Sequence, residues 1–201
     1  MKRTVLVIPD SGPLISLSVA NRLDLLLKLD MPCYVVDQVF YECTKDLTKI
    51  GAQAILEFVT NHPGVVHLEE TFVGRATKQE RTMGITTKHR GLGEAAIAEF
   101  LANLDDKITR TDPVLVLFED SDIRRINAFV QGNVHLLSTR ALLIGMEECG
   151  IIASAEEVWQ AILNAGRVPS AKLIDQPSLI VNSHWKPLYN QGWSTELMPL
   201  Q

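Results

Sequence analysis

The run Val5–Pro9 (VLVIP) constrains this chain more than any other stretch. It is almost wholly apolar and rich in β-branched side chains, and it stops at the turn signal Asp10-Ser11-Gly12-Pro13. A short unbroken apolar run closed by a turn reads as a strand buried on both faces. Leu14, Ile15, Leu17 and Val19 follow at helical spacing, so Asp10 stands where a central strand hands over to a helix. In an open parallel α/β sheet, ligands bind at that end of the strand. Asp10 has two readings there. It is a helix N-cap, or it is a carboxylate of a functional site.

The rest of the chain repeats the strand-then-helix pattern. Short helices occupy Pro13–Leu29, Pro32–Val36 is a strand, and Asp37 opens a helix that carries Glu42. A helix is expected from Asp46 to about His62, stopped by Pro63-Gly64, and Val65–Leu68 is an edge strand. Leu92–Leu104 is a helix with Glu94 in its first turn. Val114–Phe118 and Val134–Leu137 read as buried strands, and helices follow over Arg140–Glu148 and Ala155–Ala165. With right-handed crossovers, this alternation gives an α/β fold, a Rossmann-like α/β/α sandwich with a mostly parallel central sheet. From Pro169 onward the periodicity fails, and Pro177, Pro187 and Pro199 with Trp185, Tyr189 and Trp193 suggest an irregular tail on the domain or on a partner. The expected division is a domain over 1–153 and a C-terminal helix and extension over 154–201.

Composition narrows the function. The formal net charge is −5, which argues against coating nucleic acid through bulk positive charge but leaves room for a local basic patch. That patch is Gly74–Gly93, where Arg75, Lys78, Arg81, Lys88 and Arg90 face a single Glu80 without clean periodicity. It reads either as a solvated surface loop or as a mobile arm that meets phosphates. Cys33, Cys43 and Cys149 form no CxxC pair, so neither a zinc site nor a disulfide framework is expected. No stretch reaches the roughly 18 apolar residues of a membrane span, and the short N-terminal apolar run is no signal peptide, so a soluble cytoplasmic protein is expected.

The acids carry the chemistry. Asp10 follows one buried strand, and Glu119, Asp120 and Asp122 follow another. Glu42 and Glu94 lie within about a turn of their helix starts, at the same predicted end of the sheet. Each alone has a plain explanation as a helix cap, a dipole partner or a solvated residue. Together they repel one another, and a hard dication relieves that repulsion. Mg²⁺ or Mn²⁺ suits carboxylate and water oxygens, and such ions hydrolyse phosphodiesters.

The ordered set "PDSGPLISL", "VDQVFYECT", "GLGEAAIAEFL", "FEDSDIRRINAF" and "VHLLSTRALLIGMEECGII" resembles the PIN-domain family over about Val5–Ile152. The resemblance implies a Mg²⁺- or Mn²⁺-dependent ribonuclease, and since many members of that family are toxins of toxin–antitoxin modules, it also implies an antitoxin-like protein or a second copy as partner. Asp10, Glu42 and Glu94 match the first three catalytic acids. Asp120 is favoured as the fourth, with Asp122 as an extra metal ligand and Glu119 beside it. Glu119-Asp120 stands for the usual paired aspartates, and Ser138-Thr139 for the usual Gly-Thr. Ser11, Glu119 and Thr139 would orient the ligands or a phosphate, although Thr139 also reads as a helix cap. Arg75, Lys78, Arg81, Lys88, Arg90 and Arg124 would meet the RNA, which an exposed groove takes best as a single strand. The competing reading is an inactive PIN-like module that binds nucleic acid or protein. A nucleotide-binding or phosphatase fold lacks support, because GxGxxG, GxxxxGKS and an Asp-x-Asp after the first strand are all missing.

Overall fold

The computed structural model describes residues 5–85, 90–104, 107–109, 112–119 and 133–169. Five strands form one parallel sheet in the order β3-β2-β1-β4-β5. They are β1 (Leu6–Pro9), β2 (Cys33–Val36), β3 (Val66–Glu69), β4 (Val114–Phe118) and β5 (Val134–Ser138). Among the described residues eight helices flank it: α1 (Ser11–Val19), α2 (Asp24–Leu27), α3 (Asp37–Thr44), α4 (Ala52–Asn61), α5 (Phe72–Thr82), α6 (Leu92–Ala102), α7 (Thr139–Glu148) and α8 (Ala155–Asn164). This is the expected Rossmann-like α/β/α sandwich. No helix among the described residues is long and apolar enough to cross a membrane.

The apolar runs dictate the centre. Every residue of β1 and β4 is buried, and the two strands pair from Leu6 with Val114 to Pro9 with Leu117. From β1 the chain steps outward to β2 and β3, then returns to the other side of β1 for β4 and β5. The junction of β1 and β4 is therefore the topological switch point, where the two following connections diverge and leave a crevice. Asp10 and Glu119 are the residues that leave these two strands.

Three expectations change. The first part of the expected loop Gly74–Gly93 is helical, since α5 runs from Phe72 to Thr82, while residues 86–89 lie outside the described residues. Thr71 caps it, accepting from the Gly74 N–H, and Glu99 accepts from the N–H groups of Phe72 and Val73 at 2.6 and 2.9 Å. These caps come from the preceding turn and from α6, so the helix is set by contacts that periodicity does not register. Helix α4 begins at Ala52 rather than near Asp46, because Asp46 closes a local turn onto Thr48 and Gly51 takes a left-handed φ of 88°. Strand β5 is an edge strand and only partly buried. Helix α8 packs against α1 and α7, with Val158, Trp159 and Ile162 in the common core, so residues 154–164 extend the same layer. The aromatic tail lies outside the described residues.

Helices α3 and α5 meet along a polar seam. The Asp37 carboxylate accepts from the Thr71 hydroxyl at 2.7 Å and from the Gln38 N–H at 2.9 Å. Gly74 lies directly against it, and a Cβ there would overlap the Asp37 carboxyl group. Gly74→Ala should therefore cost about 1–3 kcal/mol of stability in urea denaturation, the usual scale for overpacking. Adding Asp37→Ala should return part of that loss.

Candidate active site

Asp10 is 5% exposed and occupies the N-cap position of α1, yet its side chain makes no capping hydrogen bond. The capping explanation for this carboxylate thus falls away. Glu42 comes from the second turn of α3 and Glu94 from the first turn of α6. Asp10 and Glu42 approach each other across Gly93, and Glu94 acts on both as a neighbouring like charge. A Cβ built on Gly93 would lie 3.2 Å from a Glu42 carboxylate oxygen and 3.5 Å from an Asp10 oxygen. The absence of a side chain at Gly93 keeps that cradle open. Gly91, with a left-handed φ of 74°, turns the chain into α6 so that Glu94 falls in the first turn.

The electrostatics follow from this crowding. Burial pushes the Asp10 carboxyl up to about 7, partly opposed by the Ser11 backbone N–H. Glu94, Glu42 and Glu119 add like-charge repulsion in the same direction. Burial also raises the Glu42 carboxyl, against a hydrogen bond from the Gln38 amide. Among the described residues no basic side chain forms an ion pair with Asp10, Glu42 or Glu94.

Glu119 is handled differently. Its buried carboxylate accepts from Thr139 Oγ1 at 2.6 Å, Ser16 Oγ at 2.9 Å and Arg167 Nη2 at 3.1 Å. Arg167 Nε donates in turn to Ser16 Oγ at 3.3 Å. Gly12 leaves room for this group, since a Cβ there would stand 2.8 Å from the Glu119 Cβ. Thr139 thus serves Glu119, and the cap of α7 is Ser138, whose hydroxyl accepts from the Ala141 N–H at 3.2 Å.

A cleft of about 690 Å³ opens onto the acids, and Ser11, Gln38, Tyr41, Lys45, Arg81 and Ile85 are among the residues that line it with Glu42 and Glu94. Gln38 organises its floor. The amide Nε2 donates to Glu42 at 2.9 Å, while Oε1 accepts from Thr77 at 2.8 Å and from Arg81 at 3.5 Å. The Arg81 guanidinium stacks 3.6 Å from the centre of the Tyr41 ring. Of the other predicted cations, Arg75 and Lys78 line a neighbouring groove and Arg90 is exposed just before α6. Asp120, Asp122, Lys88 and Arg124 lie outside the described residues.

Reading the sequence missed Ser16, Gln38, Tyr41, Thr77 and Arg167. Ser16 and Gln38 carried a faint signal, as polar residues on otherwise core-facing turns. Arg167 carried none, because its partner lies 48 residues away.

The donors that meet here are carboxylate oxygens with no histidine or thiolate ligand among them. Carboxylate oxygens are the donors that suit a hard dication. Among the described residues, no group of three Asp, Glu, His or Cys side chains is arranged to hold a metal ion. Compared with known proteins, the chain matches no family model, no curated protein and no solved structure.

Two consequences are measurable. The Asp10 value in the folded chain lies above the ordinary 3.8, so between about pH 4 and 7 the folded chain keeps a proton that the unfolded chain has lost. Stability should fall as pH rises through that window in the presence of chelator. Asp10→Asn should flatten the dependence and gain about 1–4 kcal/mol at pH 8, read by urea denaturation. Arg167→Met should cost about 1–3 kcal/mol at pH 7, because a buried carboxylate loses its cation. In a Glu119→Gln background the same change should cost less, the coupling that a double-mutant cycle reads.

Proposed function

We propose that this protein is a divalent-metal-dependent nuclease that hydrolyses phosphodiester bonds, with single-stranded RNA as its substrate. The observation that supports this reading is Asp10: a buried carboxylate at the switch point, crowded by Glu42 and Glu94 and paired with no basic side chain among the described residues. Asp10, Glu42 and Glu94, which form no three-ligand group by themselves, would close on Mg²⁺ or Mn²⁺ when the ion binds, with Asp120 as the further ligand. When bound, the ion supplies Lewis-acid activation of water and of the phosphate.

The chain's own residues supply the rest. Arg81 is held by Tyr41 and Gln38 with guanidinium edges left to meet a phosphate oxygen, and Lys45 adds a second cation on the cleft wall. Gln38 fixes one oxygen of Glu42, which orients that carboxylate toward the cradle at Gly93. Glu119 stands behind the site as a neutralised anchor for α1 and α7. An antitoxin-like partner or a second copy belongs to the same proposal, and gel filtration of the protein with and without its genetic neighbour reads both.

A second reading has its own observation. Glu119, which sits at the end of β4, is paired with Arg167, and the described acids make no three-ligand group. An inactive PIN-like module would bind RNA equally well with or without EDTA and cleave none.

The deciding assay is cleavage of single-stranded RNA with Mn²⁺. Activity should vanish in EDTA and drop at least about 100-fold in Asp10→Asn and Glu94→Gln, the scale expected when metal activation is lost. Cleavage that survives both EDTA and Asp10→Asn would refute the proposal.

A further inference from the structure

The acid cleft has a neighbour. A groove of about 900 Å³ runs along the other side of the α3–α5 seam, lined by Phe40, Thr44, Leu68, Arg75, Lys78 and Gln79 among others. Tyr41 and Arg81 line both spaces. The stacked Tyr41–Arg81 pair is therefore a ridge between them. On one side stand the carboxylates of Glu42 and Glu94. On the other stand the exposed cations Arg75 and Lys78, one turn apart on α5.

We propose that a single strand of RNA leaves the acid cleft across the Tyr41–Arg81 ridge and continues into this groove, where Arg75 and Lys78 hold phosphates on one side of the scissile bond. The inference rests on the nuclease reading and extends its substrate from a bond to a strand of several nucleotides.

Three features carry it. First, the charge is sorted along the path: Glu42, Glu80 and Glu94 outnumber Lys45 on the cleft side of the ridge, and the exposed cations Arg75 and Lys78 lie on the other. Among the described residues Arg75 and Lys78 form no ion pair, and the two acids on the groove are Asp37, already engaged by Thr71 and the Gln38 N–H, and the exposed Glu70. Second, the ridge is built to carry a strand. Stacking orders the Arg81 guanidinium without consuming its in-plane donors, and only one of them reaches Gln38, at 3.5 Å. Third, the groove mixes cations with the apolar edges of Phe40 and Leu68, which suits an unpaired strand with splayed bases. A duplex would have to fit both spaces across a ridge that stands between them.

The test measures binding rather than turnover. Fluorescence anisotropy is recorded with labelled oligouridylates of three and twelve nucleotides, in EDTA, using the full chain carrying Asp10→Asn so that no probe is cut. The 12-mer should bind more tightly than the 3-mer. Arg75→Gln/Lys78→Gln should weaken the 12-mer about tenfold and lower the slope of log affinity against log salt by about 1–1.5, as expected for two lost phosphate contacts on a single strand. The 3-mer should bind unchanged. Both side chains are exposed, so circular dichroism should show an intact fold. Equal loss for both lengths, no loss for either, or tighter binding of a 12-base-pair duplex would overturn the path. A wild-type chain that cleaves nothing while this length dependence holds would sink the nuclease reading and leave the path standing. Cleavage by the wild type without the length dependence would do the reverse.

Discussion

Burying a carboxylate costs free energy that only hydrogen bonds or a cation recover. Two carboxylates are buried at the β1–β4 junction, and the chain treats them in opposite ways. Glu119 receives two hydroxyls and a guanidinium. Asp10 receives the adjacent backbone N–H and is surrounded by further acids. The first arrangement stabilises a fold. The second works against it, and a cost borne at the ligand-binding end of a parallel sheet is a functional signal. The surrounding elements relate to this contrast: α1 and α7 converge on Glu119, while α3 and α6 bring the remaining acids to Asp10.

The sheet was legible because burial on both faces forces near-continuous apolar runs, and Val5–Pro9 and Val114–Phe118 are such runs. The positions of Asp10, Glu42 and Glu94 were legible for the same reason, since each stands at a fixed offset from an element boundary. What was not legible depends on partners distant in sequence. Helix α5 is capped from α6 by Glu99, and without that cap its polar sequence reads as a loop. The Thr139 hydroxyl turns to Glu119 instead of capping α7, because Ser138 already does so. Arg167 sits beyond α8 in a stretch with no pattern at all. The resemblance to PIN-domain proteins pointed to the same acids, but it offered nothing about how Glu119 would be neutralised.

The α3–α5 seam shows how one structural need shapes the candidate site. Gly74 lets α5 approach the Asp37 carboxyl, and that approach brings Thr77 and Arg81 within reach of Gln38. Gln38 then holds Glu42. A small residue on one helix thus governs where a carboxylate in the second turn of another helix comes to rest. The basic residues of this region matter less as a cloud of charge than as a row fixed along a helix.

Arg167 joins residues separated by 151 positions, reaching back to Ser16 on the first helix. During synthesis β4 and Glu119 leave the ribosome well before Arg167 does. A sheet that formed at that stage would hold Glu119 without this counter-ion until Arg167 had docked. Docking of Arg167, rather than pairing of the strands, fixes when Glu119 gains its guanidinium.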